Sequence, residues 1–171
     1  MNHTSNPSPE DLRIYTLSND KGTQLQILNL GASVFGLILN DKNGNPVNVV
    51  VGPKNSEDYI SEKYLEENKC FGSSVGRYAG RISNGSFQLN GKNFELFQKN
   101  GSHLHGGFRG FQTKIWKPGA ENSGADPSLI LSCISEDGEE GYPGRLEIQV
   151  KYTLTSENEV IIEYTASTTK S

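Results

Sequence analysis

Leu146-Glu147-Ile148-Gln149-Val150-Lys151-Tyr152-Thr153-Leu154 sets an apolar side chain at every second position, with a polar or charged one between. A period of two puts residues i, i+2 and i+4 on one face of an extended chain. The segment therefore reads as a β-strand with one buried and one wet face. Working outward, the same alternation returns in Leu12, Ile14 and Thr16, in Val47, Val49 and Val51, and in Phe87 and Leu89. Asn43-Gly44, Asn84-Gly85, Asn90-Gly91, Asn100-Gly101 and Asp137-Gly138 punctuate these runs. Such pairs tolerate positive φ, which tight hairpins require. Strands are predicted over residues 11–18, 23–30, 33–40, 46–51, 86–90, 93–97, 128–135, 145–154 and 159–168. Residues 56–68 are polar, and Tyr59, Ile60, Tyr64 and Leu65 predict one or two short helical turns there. Pro118 to Ser128 reads as a surface loop. So many strands exceed one flat sheet with one wet face, and the expectation is an all-β fold of packed sheets.

The chain has 171 residues, enough for one domain with a sizeable core. Met1 to Glu10 is polar and contains proline, so residues 1–10 are expected to be a flexible tail and residues 11–171 the folded part. The tail lacks the basic and apolar regions of a signal peptide, which predicts a cytoplasmic protein. No apolar run approaches the roughly 20 residues of a membrane helix. Lys and Arg number 16 against 20 Asp and Glu, a net charge of -4. That balance gives no basic stripe for nucleic acid and suits a neutral small-molecule partner. Cys70 and Cys133 show no metal-ligand spacing and no C-x-x-C, and Cys133, within the apolar run 129–134, reads as a buried thiol.

Three segments carry chemistry. In Phe71-Gly72-Ser73-Ser74-Val75-Gly76-Arg77-Tyr78-Ala79-Gly80-Arg81-Ile82, two arginines stand among small residues. Small neighbours allow close approach of a ligand, and a guanidinium grips paired oxygens. The alternative is that one or both are surface charges or structural partners. In Gly101-Ser102-His103-Leu104-His105-Gly106-Gly107-Phe108-Arg109-Gly110-Phe111, the histidines are metal ligands, ordinary polar residues, or hydrogen-bonding groups in space opened by Gly106 and Gly107. The metal reading is weak, because no third ligand stands at supporting spacing. Imidazole suits the last role: one nitrogen donates while the protein holds the other. Asp137-Gly138-Glu139-Glu140-Gly141-Tyr142-Pro143-Gly144 offers carboxylates for acid–base work or calcium. It lacks the calcium-loop pattern and reads as a solvated connection between strands. Phe111 and Trp116 are either core or a stacking surface for a sugar, and the sequence does not choose.

Together these segments resemble the galactose mutarotase (aldose 1-epimerase) family. The resemblance rests on Asn29-Leu30-Gly31-Ala32, the Asp41-to-Gly44 hairpin with Pro46-Val47, Phe71 through Arg81-Ile82, and Asn84-Gly85 with Phe87. Asn90-Gly91-Lys92, Leu104-His105-Gly106-Gly107 with Gly110-Phe111 and Trp116, and Asp137 through Gly144 complete it, in order, from about Leu12 to Lys170. It implies a large antiparallel β-sandwich, a supersandwich, and interconversion of the α and β anomers of galactose or glucose without a cofactor or a metal. It makes Arg81 and His105 substrate-binding residues. Gly80 stands where members often have asparagine, and His103 receives no role. Members are about twice this long, so the fold reads as truncated. The resemblance puts the general acid histidine and the general base glutamate beyond Ser171, so no acid or base is assignable here, and the chain alone is expected to be inactive or very weak. Two other readings stand beside the enzyme: a non-catalytic sugar-binding or interaction module, and a hexose-phosphate epimerase relative whose Arg77 and Arg81 would meet a phosphate. A sandwich lacking part of its strands is also expected to self-associate through exposed sheet edges.

Overall fold

The structure, a computed structural model, describes residues 7–67 and 69–170. Two four-stranded antiparallel sheets face each other across one core. The first runs β1 (Ile14–Ser18), β2 (Gln24–Leu28), β3 (Ser33–Asn40) and β4 (Pro46–Asn48) as a meander. Its hairpins close where the sequence supplies turn chemistry. The Asp41 carboxylate accepts the N–H groups of Asn43 and Asn45, and Gly44 takes φ +84°. Those backbone donors hold the Asp41 carboxyl below its ordinary range.

A region of small pairs follows. The segment Ser56–Ile60 forms a 3-10 turn and Glu62–Glu67 a single short helix, α1. Strand β5 (Arg81–Ser83) pairs with β8 (Ser102–Leu104), and β6 (Ser86–Leu89) pairs with β7 (Lys92–Glu95) across Asn90-Gly91. The second sheet has the order β12-β11-β10-β9, from β9 (Lys117–Asn122), β10 (Ser128–Ser135), β11 (Leu146–Leu154) and β12 (Val160–Thr168).

The predicted alternation of β11 accounts for its side of the core; in β1 the other face is the buried one, with Leu17 in the core and Ile14 exposed, and Val47 and Leu89 are also exposed. Val150, Tyr152 and Leu154 of β11, with Leu129 and Leu131 of β10, meet Leu25 and Ile27 of β2. Each fully buried Leu, Ile or Val contributes roughly 1.5–3 kcal/mol of transfer free energy. A smaller cluster, Leu12, Leu28, Leu30 and Tyr59 with Phe35, Ile60 and Tyr64 against it, brings in the 3-10 turn and α1. Trp116 is fully buried and Phe111 nearly so, their rings edge-to-face at 5.8 Å, and the indole N–H donates to Phe111 O. Both are core, which resolves the alternative the sequence left open. Cys133 is likewise buried.

Several expectations need correction. Lys117–Asn122 is a strand, not part of a loop; it is an exposed edge, so neither face carries an apolar stripe to betray it. Pro118 is tolerated there because an edge strand needs no donor on its open side. The three-residue strands β5 and β8 are too short to show a period. Strand β4 stops at Asn48, and Val49 and Val51 lie exposed beyond it. Residues Pro9–Asp11 form a 3-10 turn across the expected boundary of the tail at residue 10, with Ser8 as its N-cap and Ser8 N–H donating to the Asp11 carboxylate; residues 1–6 lie outside the described residues. No helix among the described residues is long and apolar enough to cross a membrane.

Candidate functional site

The loops at one end of the small strand pairs gather the three chemical segments. The register of β5 and β8 sets Arg81 opposite Leu104 and Ile82 opposite His103. Beyond it, His105 N–H donates to Gly80 O at 2.9 Å. Arg81 and His105, 24 positions apart in sequence, are thus diagonal neighbours across one antiparallel pair. Arg81 is exposed and lines a cleft of about 1100 Å³, together with Phe97, Lys99, Leu104, Phe108 and Arg109. His105 is half-buried and is not on that wall.

The two histidines are held in opposite tautomers. Gly80 N–H donates to His105 Nδ1 at 3.1 Å, so Nδ1 carries a lone pair and the neutral ring keeps its proton on Nε2. His105 therefore presents Nε2–H as a donor. His103 is fully buried. Its Nδ1 lies 2.6 Å from Phe97 O, which can only accept, so the proton is on Nδ1. Its Nε2 accepts from the Tyr142 hydroxyl at 2.7 Å. Both His103 nitrogens are spent on the framework, leaving neither for a metal. Among the described residues no group of three His, Cys, Asp or Glu is placed to hold one.

The two arginines also divide. Arg77 lies across the acidic loop, donating to Ser135 Oγ and O, Glu136 O and Pro143 O at 2.8–3.0 Å, with its guanidinium 5.6 Å from the Tyr142 ring centre. Burial pulls its pKa down from the ordinary value, and Glu139 opposes that shift. With four of its five N–H donors spent on the protein, this guanidinium has no free pair with which to grip a phosphate, which weighs against the Arg77 half of the hexose-phosphate reading.

The acidic loop is not a solvated connection. Glu140 and Tyr142 are buried. The Glu140 carboxylate accepts the N–H groups of Phe108 at 3.1 Å and Arg109 at 3.0 Å. Glu139 pairs with Lys114 and accepts from Ser135 Oγ. Burial pushes the Tyr142 hydroxyl up to about 12. Neither carboxylate is a spare base. Gly106 and Gly107 likewise open no space for a ligand. A Cβ at Gly106 would lie 1.7 Å from Gly76 O, and one at Gly107 2.0 Å from Glu140 Oε2. Composition hid this framework, because a carboxylate bonded to backbone amides looks in sequence like any acidic turn residue. The one available signal was the Gly106-Gly107 pair, which marks close backbone approach as readily as open space.

Comparison with known proteins identifies the fold and the family. The family model for aldose 1-epimerase matches residues 13–171. The galactose mutarotase of Sus scrofa is 37% identical over 153 residues, taking in 89% of this chain and 42% of that protein. The aldose 1-epimerase of Haemophilus influenzae is 35% identical over 164 residues, with 92% and 44% covered. The solved aldose epimerase homologue from C. elegans superposes with a TM-score of 0.81 at 28% identity, covering 92% of this chain and 46% of that one. Galactose 1-epimerase from Lactobacillus acidophilus gives 0.79 at 27%, with 97% and 48% covered. The chain spans less than half the length of these relatives. With a facing pair of antiparallel sheets, a match over nearly its whole length and the Arg81 and His105 segments side by side, the chain belongs to the aldose 1-epimerase family.

Proposed function

We propose that this chain carries the sugar-holding part of an aldose 1-epimerase site, with galactose or glucose as the sugar and Arg81 and His105 as its contacts. The observation that carries the reading is the Gly80–His105 bond, which commits the imidazole to donate from Nε2 in a segment whose backbone adjoins that of the exposed Arg81. An Nε2–H donor suits the ring oxygen of a pyranose, and a guanidinium suits its hydroxyls.

The reaction balances without redox or group transfer. A base takes the proton of the C1 hydroxyl, the bond from C1 to the ring oxygen breaks, and an acid protonates that oxygen. The open aldehyde turns about its bond to C2. Closure returns each proton to where it came from, giving either anomer, so acid and base exchange roles. Arg81 and His105 bind and orient the sugar, and His105 polarises the ring oxygen. The acid and base belong to sequence beyond Ser171 in this reading, and the work is done in the cytoplasm. The non-catalytic module remains the second reading, favoured by the engagement of Glu139 and Glu140 in the framework.

The test is an NMR titration of the chain with galactose. Losing a hydrogen bond to a charged group costs roughly 1.5–3 kcal/mol, about 10- to 150-fold in affinity. Arg81→Ala is expected to weaken binding by that factor, and Lys99→Ala, on the same cleft wall, by far less. Equal effects of the two substitutions would reject the assignment.

A further inference from the structure

Glu140 stands out among the buried ionisable groups. It is 7% exposed, and its backbone is left-handed at φ 52°, ψ 15°, a conformation that a non-glycine residue keeps only when its surroundings hold it there. Its surroundings hold it at both ends. The backbone carbonyl accepts Phe97 N–H at 3.1 Å. The two carboxylate oxygens take the consecutive amides of Phe108 and Arg109, one each. The near-contact with Gly107, at φ +93°, shows how closely the carboxylate is seated against the loop: any side chain at 107 would overlap it. Gly107 N–H in turn donates to Leu104 O at 2.9 Å, closing a turn around His105. The segment 104–109 is therefore pinned on one side to Gly80, through two bonds with His105, and on the other to Glu140.

We propose that Glu140 is a positioning residue for His105: its carboxylate, clamped on the Phe108 and Arg109 amides, sets the turn that keeps His105 Nδ1 on Gly80 N–H and so fixes the imidazole with its proton on Nε2. The role rests on the sugar-binding reading of His105, but the device itself lies within the chain's own hydrogen bonds. Glutamate suits the task because an ionised carboxylate only accepts, at both oxygens, and so serves two adjacent N–H groups at once. Glutamine keeps the volume but turns one acceptor into a donor, facing an N–H with an N–H.

The experiment is two-bond ¹H–¹⁵N correlation of the histidine rings, in the intact chain and in Glu140→Gln. The intact chain is expected to show His105 protonated at Nε2 alone and His103 protonated at Nδ1 alone. In Glu140→Gln, His105 is expected to lose its single-tautomer pattern, with the two ring nitrogens drawing toward averaged shifts. His103, held by Phe97 and Tyr142, should keep its own pattern and so report that the loop is still folded. Glu140→Asp, which keeps an acceptor-only group on a shorter arm, should restore part of the His105 pattern. An unchanged His105 in Glu140→Gln, with faster exchange of the Phe108 and Arg109 amides, overturns the proposal.

If Glu140→Gln does not fold, native-state hydrogen exchange on the unaltered chain decides. The amides of Gly80, Phe108 and Arg109 should then open together with matching protection, and independent opening of Gly80 overturns the proposal. No sugar enters either measurement. An intact tautomer coupling with no galactose binding would reject the sugar reading and leave the Glu140 device standing.

Discussion

Strand β11 and the acidic loop 137–144 that leads into it are neighbours in sequence and opposites in how they are held. The strand is buried through the volume of Val150, Tyr152 and Leu154, each at 1% exposure or less. The loop is buried through hydrogen bonds: Glu140 to two amides, Tyr142 to His103, and Arg77 to three carbonyls. Apolar packing leaves a periodic trace in the sequence, because the pleat repeats every two residues. Polar packing leaves none, because an acidic turn residue has the same letter whether it faces water or a buried amide.

The comparison can be broken from either side. On the packing side, Trp116→Ala should cost about 3–5 kcal/mol, read as a shift in the urea midpoint at constant slope. A loss much smaller than this would mean that the two sheets are not joined by the core described. On the hydrogen-bonded side, Arg77→Ala strips partners from Ser135, Glu136 and Pro143 and should cost about 1.5–3 kcal/mol. Arg81→Ala, four positions on and exposed, should leave the midpoint where it was while lowering galactose affinity. If the two arginines exchange these effects, the division of framework from site is wrong.

Strand β12 sharpens the contrast. Its Ile162 and Tyr164 pair in register with the buried Tyr152 and Val150, yet they are 43% and 53% exposed. The alternation that is filled on β11 lies uncovered on β12. An edge of nine residues with such a face should recruit another chain. Light scattering is expected to show association that Ile162→Lys reduces, and a monodisperse monomer without the substitution would show that the edge is guarded.

A smaller effect is expected at alkaline pH. The buried Tyr142 hydroxyl is raised from 10.0 to about 12 in the folded chain. Its contribution is fully present below pH 10, and it is lost as pH rises toward 12, because the unfolded chain ionises first. Tyr142→Phe should flatten that part of the stability profile, and an unchanged profile would put the hydroxyl in contact with water.

The sequence made the sandwich legible because Leu146 to Leu154 carries its burial as a pattern, whereas the shorter run at Ile14 and Thr16 marks the exposed face of its strand. The turns were legible because Asn43-Gly44 and Asn90-Gly91 need left-handed backbone. The candidate site was legible as a proposal only. Arg81 and His105 stood out through the family resemblance, and β5 with β8 brings their backbones together. What the letters could not give was the division of labour within each pair. Arg77 and Arg81 share one motif, as do His103 and His105, and only the fold shows that Arg77 and His103 are bonded into the framework. The exposed edge strand Lys117–Asn122 stayed hidden because it buries nothing.

The central proposal is that this chain binds a sugar through Arg81 and His105 without itself supplying the acid and base that open its ring. Polarimetry of freshly dissolved α-D-galactose, with spontaneous mutarotation in buffer subtracted, tests it most directly. Each positioned acid or base typically contributes about 10²–10⁴-fold, and holding a ground state alone does not speed the step. The 171-residue chain is expected to leave the buffer rate nearly unchanged while galactose still perturbs the His105 ring in NMR. Turnover near that of a full-length relative, abolished by His105→Ala, would contradict the account and place a complete acid–base pair within these residues.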